Sequence, residues 1–189
     1  EELSLSLPPT VDLIAWPETT VQAPMNVAPL LLGDEQLRQI LQRGLDAVRK
    51  VGGKFGCPVL VGTRGWFPRA EGYVTNTTRS SVDVIANSAV LFSSEGRFME
   101  RYDKIELVPF GEYIPLVDWI PLLKTLTPFT TSLTPGRTPV LFDLEPVGKP
   151  PRQFGVLICY EDVFPALVRT FVNRGAHFLV NLTEEGWYH

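Results

Sequence analysis

Three segments of this chain end a strand-like run, two of them mostly apolar, on a group that can do chemistry. Phe154 to Ile158 leads to the thiol of Cys159, with Tyr160 and Glu161 following at once. Leu13 to Trp16, then Pro17, leads to the carboxylate of Glu18. The stretch from Arg97 to Asp103 leads to the amine of Lys104. Such runs read as strands, and a reactive group at the C-terminal end of a buried strand is how α/β folds display catalytic residues. A thiol, a carboxylate and an amine together point to nucleophilic catalysis by cysteine. The thiol must first become thiolate. Neither histidine suits the role of base: His177 falls mid-strand, where a core position is expected, and His189 is terminal. A glutamate must then take the proton, which requires partial burial to raise its pKa. Glu18, behind the rigid Trp16-Pro17 step, fits that requirement. Lys104 supplies a fixed positive charge for the thiolate and for the oxyanion of a tetrahedral intermediate. The backbone N–H of Tyr160 is a natural second oxyanion donor. Alone, each residue reads as a solvated charge or a core cysteine; three complementary groups at three strand ends outweigh that reading.

The elements that must position these groups alternate. Val11–Trp16, Pro58–Thr63, Phe154–Cys159 and Ala176–Leu182 read as strands. Val82–Phe92, Ser93 to Gly96 and Arg97–Tyr102 form a hairpin signature. Asp34 to Val51 carries Leu37, Ile40, Leu41, Leu45 and Val48 at helical spacing, with Asp34 as N-cap and Gly52 as stop. Phe164 to Asn173 reads as a second helix, with Pro165 in its first turn and Gly175 closing it. The pattern is α/β, in a single domain over 1–189. Residues 105–138 break it. They are rich in Leu, Ile, Val, Phe and Trp, yet Pro109, Pro115, Pro121, Pro128 and Pro135 interrupt them. Long loops of this kind inside a domain are usually functional. The simpler expectation is a flap over the core. The sharper one is an apolar lid or membrane-contacting arm, with Phe110, Trp119, Leu122 and Leu123 among its exposed residues.

Composition narrows the classes. A hydrophobic fraction of 44% and a charged fraction of 20% over 189 residues suit one folded domain. The net charge of −4 without a Lys/Arg cluster argues against a nucleic-acid partner. Two cysteines, Cys57 and Cys159, make no disulfide framework, and with two histidines they give no ordinary zinc spacing, so no metal is expected. No apolar run is long enough to span a bilayer and no signal peptide is visible. The chain starts at Glu1 rather than Met and stops after Trp187, Tyr188 and His189, so it reads as a piece of a longer protein.

Trp16-Pro17-Glu18-Thr19, Tyr102-Asp103-Lys104 and Cys159-Tyr160-Glu161 resemble the Glu–Lys–Cys segments of the nitrilase (carbon–nitrogen hydrolase) superfamily. The longer stretches, from Tyr102 through Pro109-Phe110-Gly111-Glu112-Tyr113 to Pro115, Ile158 to Pro165 and Leu179 to Tyr188, resemble its apolipoprotein N-acyltransferase branch. The resemblance implies a four-layer α-β-β-α sandwich, here incomplete at both ends. It implies Glu18 as general base, Lys104 as electrostatic stabiliser and Cys159 as nucleophile. Glu112, Tyr160 and Glu161 match supporting residues of that site, and no cofactor is implied. It further implies a phospholipid acyl donor, a thioester on the cysteine and a diacylglyceryl-lipoprotein amine as acceptor. The implied setting is a membrane surface, in a bacterial inner-membrane protein whose catalytic domain faces the periplasm. A soluble amidase or carbamoylase of the superfamily and a catalytically dead binding module are the competing readings. The chain departs from the branch at Glu184-Glu185, where Asn-Asp is usual, and at His189, where Gly is usual.

Overall fold

In the computed structural model, the described residues are 11–25, 35–67, 84–115 and 133–184. Alternation along the strands decides which surface each side chain joins. In β2 (Val59–Phe67), Val59 and Val61 pack under helix α1 (Glu35–Phe55), whereas Leu60 faces the opposite way into a second cluster. In β3 (Val84–Phe92), Val90 and Phe92 join the first cluster, and Ala89 and Leu91 the second. This period of two is what a sheet buried on both faces requires. With β1 (Ile14–Pro24) and β4 (Phe98–Asp103) the first sheet has the order β1-β2-β3-β4. β1 runs parallel to β2, and the remaining pairs are antiparallel.

The second sheet has the order β5-β6-β7, from Leu141–Leu144, Arg152–Ile158 and Phe178–Leu182. β5 is antiparallel and β7 parallel to β6. Leu60, Ala89, Leu91 and Tyr102 of the first sheet share a core with Phe142, Phe154, Val156 and Ile158 of the second. Helix α2 (Pro165–Asn173) adds Leu167 and Phe171 to it. The layers are therefore α1, first sheet, and second sheet with α2 packed against it. Phe171 takes the space that a side chain on Gly155 would need, and meets Tyr102 edge-to-face at 5.7 Å between ring centroids.

Several expectations need correction. The first helix does not stop at Gly52. It continues to Phe55 and ends at Gly56, whose φ is 64°. Gly52 instead allows close approach: a Cβ there would lie 2.8 Å from the Ser94 carbonyl oxygen of the β3–β4 turn. The first strand runs on past Trp16 through Glu18, with its pairing register broken between Trp16 and Val21. Pro17 has no N–H to donate and Thr19 adopts a positive φ of 48°, so this stretch cannot hold a regular ladder. His177 is not a core residue. It is exposed just before β7, and its Nδ1 accepts from the Gln153 N–H at 3.0 Å.

The apolar segment is pinned at both described ends. The N–H of Leu133 donates to the Glu112 carbonyl at 2.8 Å, that of Thr134 to Ile85 at 2.9 Å, and that of Gly136 to Lys104 at 2.7 Å. Phe110 is 55% exposed. Trp119, Leu122 and Leu123 lie outside the described residues. No described helix is long and apolar enough to cross a membrane.

Truncation of Phe171 tests whether α2 holds the second sheet as this packing requires. Phe171→Ala is expected to cost about 3–5 kcal/mol, the range for a fully buried aromatic. Equilibrium denaturation reads the loss, and a change below about 1 kcal/mol contradicts the packing described.

Candidate active site

The apolar residues of β6 fix where Cys159 stands. Phe154, Val156 and Ile158 are buried, and the strand ends directly on the cysteine, which begins a 3₁₀ turn over Cys159–Val163. Cys159 has φ 55°, in the left-handed region that side chains with a Cβ rarely adopt. Glu161 holds this turn. Its Oε2 accepts from the Ile158 N–H at 2.8 Å, reaching back over the turn as a capping carboxylate does. Its Oε1 accepts from the Tyr102 hydroxyl at 2.8 Å, the Ile105 N–H at 2.7 Å and the Glu106 N–H at 3.1 Å. Burial pushes the Glu161 carboxyl up, and these donors oppose that shift. One buried carboxylate thus ties the cysteine turn to the end of β4. From the other side, Asn181 Nδ2 donates to the Cys159 carbonyl at 3.2 Å and to Asp162 at 3.1 Å.

β4 delivers Lys104 into the interior, where its side chain is only 1% exposed. A buried ammonium must be paired. Glu112 meets it with both oxygens at 2.9 Å, and Glu18 Oε1 stands 3.9 Å away. Glu112 comes from the turn at 108–113, where its Oε2 also accepts the Val108 N–H at 2.8 Å. Phe110 within that turn has φ 61°.

Glu18 is buried near the start of the irregular part of β1. Its Oε1 accepts from Asn87 Nδ2 at 2.6 Å, and the same amide nitrogen reaches Glu112 Oε1 at 3.1 Å. Both partners are carboxylates, so the amide can be oriented only with its nitrogen toward them. The Asn87 Oδ1 is then buried without a hydrogen-bond partner among the described residues. Sequence reasoning missed Asn87. Its signal was there: Asn87 and Ser88 interrupt an otherwise apolar strand. Glu184, one of the departures from the branch pattern, accepts from the Thr19 hydroxyl at 2.7 Å beside Glu18.

The structure therefore brings Lys104 and Cys159, from the ends of β4 and β6, together with Glu18 from the irregular middle of β1 rather than from a strand end, with Glu112 and Glu161 around them. Tyr160 is 54% exposed, and its ring stacks edge-to-face on Phe164. Burial pushes the Cys159 thiol up; the nearby Glu18 charge adds to this and Lys104 works against it. Glu18 and the Tyr160 N–H both lie near enough to bear on the thiol's titration, Glu18 raising it and the N–H lowering it. The raised thiol rests neutral, beside a carboxylate that can accept its proton. Three non-glycine residues have positive φ among the described residues: Thr19, Phe110 and Cys159. All three flank this site, which is where backbone strain concentrates in functional proteins. Cys57 is free and buried under α1, away from this cluster. No group of three or more His, Cys, Asp or Glu side chains is arranged to hold a metal among the described residues.

The model of the Carbon-nitrogen hydrolase family matches residues 6–189. The chain is 31% identical over 189 residues to the apolipoprotein N-acyltransferase of Chlorobaculum tepidum, covering 94% of this chain and 32% of that protein. It is 32% identical over 183 residues to apolipoprotein N-acyltransferase 2 of Treponema pallidum, covering 94% of this chain and 29% of that protein. It thus spans about a third of the length of these relatives. Among solved structures it resembles a carbon-nitrogen hydrolase from Helicobacter pylori G27, with TM-score 0.54 and 15% identity, covering 96% of this chain and 51% of that one. A similar likeness, with TM-score 0.52 and 18% identity over 92% of this chain and 52% of that one, links it to a mutant amidase from Nesterenkonia sp. AN1. That structure carries the acetamide moiety of fluoroacetamide covalently added at the active-site cysteine. The α/β arrangement of two sheets and flanking helices is the nitrilase-like fold of these neighbours.

The electrostatics set a signed expectation for Cys159. Its thiol titrates above the ordinary range, so alkylation at neutral pH is slower than for a free cysteine. Glu18→Gln removes a charge that raises the thiol and is expected to move the alkylation profile to lower pH. Lys104→Met removes one that lowers it and moves the profile to higher pH. Peptide-resolved mass spectrometry of iodoacetamide labelling against pH checks both signs, and shifts in one common direction contradict the geometry.

Proposed function

The chain belongs to the carbon–nitrogen hydrolase family, and from that premise we propose that it is the catalytic domain of a cysteine-dependent N-acyltransferase. It moves an acyl chain from a phospholipid to the N-terminal amine of a diacylglyceryl lipoprotein. The observation that carries the reading is the buried Glu18 carboxylate 3.9 Å from the buried Lys104 ammonium, both close enough to the Cys159 thiol to act on it. The names of the relatives favour an amine over water as acceptor.

In the first half-reaction Glu18 takes the proton from Cys159, and the thiolate attacks the ester carbonyl carbon of the lipid. Lys104 and the Tyr160 N–H stabilise the oxyanion. The C–O bond breaks, the departing lysophospholipid oxygen takes the proton from Glu18, and a thioester remains. In the second, the acceptor amine attacks the thioester carbon and gives a proton to Glu18. The C–S bond breaks, the amide leaves, and the sulfur recovers that proton. Glu112 and Asn87 hold the charges in place throughout. Exposed Phe110 and Tyr113 on the 108–113 turn, and Tyr160, give the mouth an apolar rim that suits a lipid donor better than a small polar amide. The segment beyond, with Trp119, Leu122 and Leu123, would extend that rim as a lipid-access arm. The setting this implies is a membrane surface, with the domain on the periplasmic side of a bacterial inner membrane.

The full-length protein, incubated with phospholipid vesicles and then with a diacylglyceryl-cysteine peptide, tests this reading. Mass spectrometry is expected to find the acyl group on Cys159 and then on the peptide amine. Cys159→Ala is expected to abolish transfer, whereas Cys57→Ala leaves it intact. Glu18→Gln and Lys104→Met are expected to lose about 10²-fold or more. Hydrolysis of short amides without thioester formation from phospholipid would favour the amidase reading. Phe110→Ser is expected to slow acylation by vesicles more than acylation by a short water-soluble ester; equal losses count against lipid access through this rim.

A further inference from the structure

Two buried glycines lie against the main chain that carries the charged groups of the site. Gly62 lies in β2 beside the irregular stretch of β1. A Cβ built on it would fall 2.2 Å from the Pro17 carbonyl oxygen and 2.6 Å from the Glu18 Cα. Gly136 lies on the segment that returns past Lys104. A Cβ there would fall 2.1 Å from the Asp103 carbonyl oxygen and 2.8 Å from its carbon. In both cases the contact includes the carbonyl of the residue immediately before Glu18 or Lys104. Neither glycine has a positive φ, so alanine is conformationally allowed at each and acts only by pushing. Gly155 differs, because a Cβ there meets the Phe171 and Leu179 side chains rather than main chain.

We propose that Gly62 and Gly136 are positioning residues: the missing side chain at each sets how closely the main chain of Glu18 and of Lys104 approaches the Cys159 sulfur. Restoring ordinary contact after adding a methyl group needs a main-chain displacement on the order of 1 Å, a shift that elsewhere in enzymes can remove ~10² in rate. The Lys104 backbone has little room to absorb it. Its N–H is held by the Asn87 carbonyl at 2.8 Å, and its carbonyl by the Gly136 N–H at 2.7 Å. Asp103 is likewise fixed, accepting from Ser88 Oγ at 2.6 Å. On the β1 side, Thr63 Oγ1 donates to the Val21 carbonyl at 3.0 Å and anchors the strand just past Glu18.

The two contacts have opposite electrostatic consequences, which separates positioning from general loosening. The charges that act on the thiol are Glu18 from β1 and Lys104 after β4; of the other charged groups at the site, Glu112 pairs with Lys104, Glu161 and Asp162 belong to the cysteine's own turn, and Glu184 after β7 accepts from Thr19. Moving Glu18 away lowers the thiol pKa, and moving Lys104 away raises it. Loosening that merely admits water lowers it in both cases.

The inference rests on the assignment of Glu18, Lys104 and Cys159 to one site, and not on which acyl donor is used. The test is the pH profile of iodoacetamide labelling at Cys159 in the full-length protein, read by peptide mass spectrometry. Gly136→Ala is expected to slow labelling at neutral pH about tenfold, and Gly62→Ala to speed it by a similar factor. Gly53→Ala on exposed helix, where the nearest atom outside its own helix is 4.0 Å from the added carbon, is the control. If either alanine variant does not fold, Pro135→Gly or Thr63→Val loosens the same contact and is expected to shift labelling in the same direction by less. Folded variants with wild-type profiles, or with both profiles moved to lower pH, overturn the inference. If Glu18→Gln and Lys104→Met themselves fail to shift labelling in opposite directions, the assignment of the site falls first and takes the inference with it.

Discussion

An ammonium group removed from water is the constraint on which this architecture turns. Lys104 is buried to 1% side-chain exposure, a state that costs several kcal/mol unless the charge is met at close range. The compensation is local and multiple. Glu112 binds it with both oxygens, Glu18 stands within 4 Å, and Asn87 holds the two carboxylates apart from each other and toward the amine. Those contacts dictate where the 108–113 turn folds and why a polar residue interrupts β3. The proposed chemistry draws on the same charges, so stability and function share one set of contacts here.

Glu161 plays the matching part for the thiol. It cannot reach solvent, and every described contact it makes is with a donor. Its two oxygens join β6 to the end of β4, which belong to different sheets. The relative position of the Cys159 sulfur and the Lys104 ammonium is therefore set by one short side chain as well as by sheet packing. Removing it would leave several buried N–H groups without acceptors, a loss of the kind that dominates severe destabilisation.

The site was legible where chemistry and periodicity coincide. Glu18 and Cys159 each close an apolar run and Lys104 a strand-like one, and that pattern survives in one dimension because strands bury alternating or continuous apolar residues. Glu112 and Glu161 were legible only through resemblance, since a glutamate in a loop or turn has no periodic signature. Asn87 could have been read as a polar residue inside an apolar strand. Gly62 and Gly136 could not, because their importance lies in a main-chain approach that only the folded chain creates. The same limit explains Gly52, read as a helix stop although tertiary packing carries the helix past it. It explains β5 as well, whose four residues are too few to register as a strand. Thr19 shows the reverse case: its local backbone is strained, yet nothing in the residue type signals it.

The long reach of the site contacts has a consequence for how the protein is made. Asn87 meets Glu18 across 69 positions, Glu161 meets Tyr102 across 59, and Thr19 meets Glu184 across 165. Contacts of such sequence separation close late, after the entropy of the intervening loops has been overcome. On a growing or partly collapsed chain, Cys159 is an ordinary thiol with neither acceptor nor counter-charge beside it. It acquires its partners only when both sheets have docked. The pairing of acceptor and counter-charge with the sulfur is thus a property of completed folding, and no partly folded form of the chain presents the assembled site.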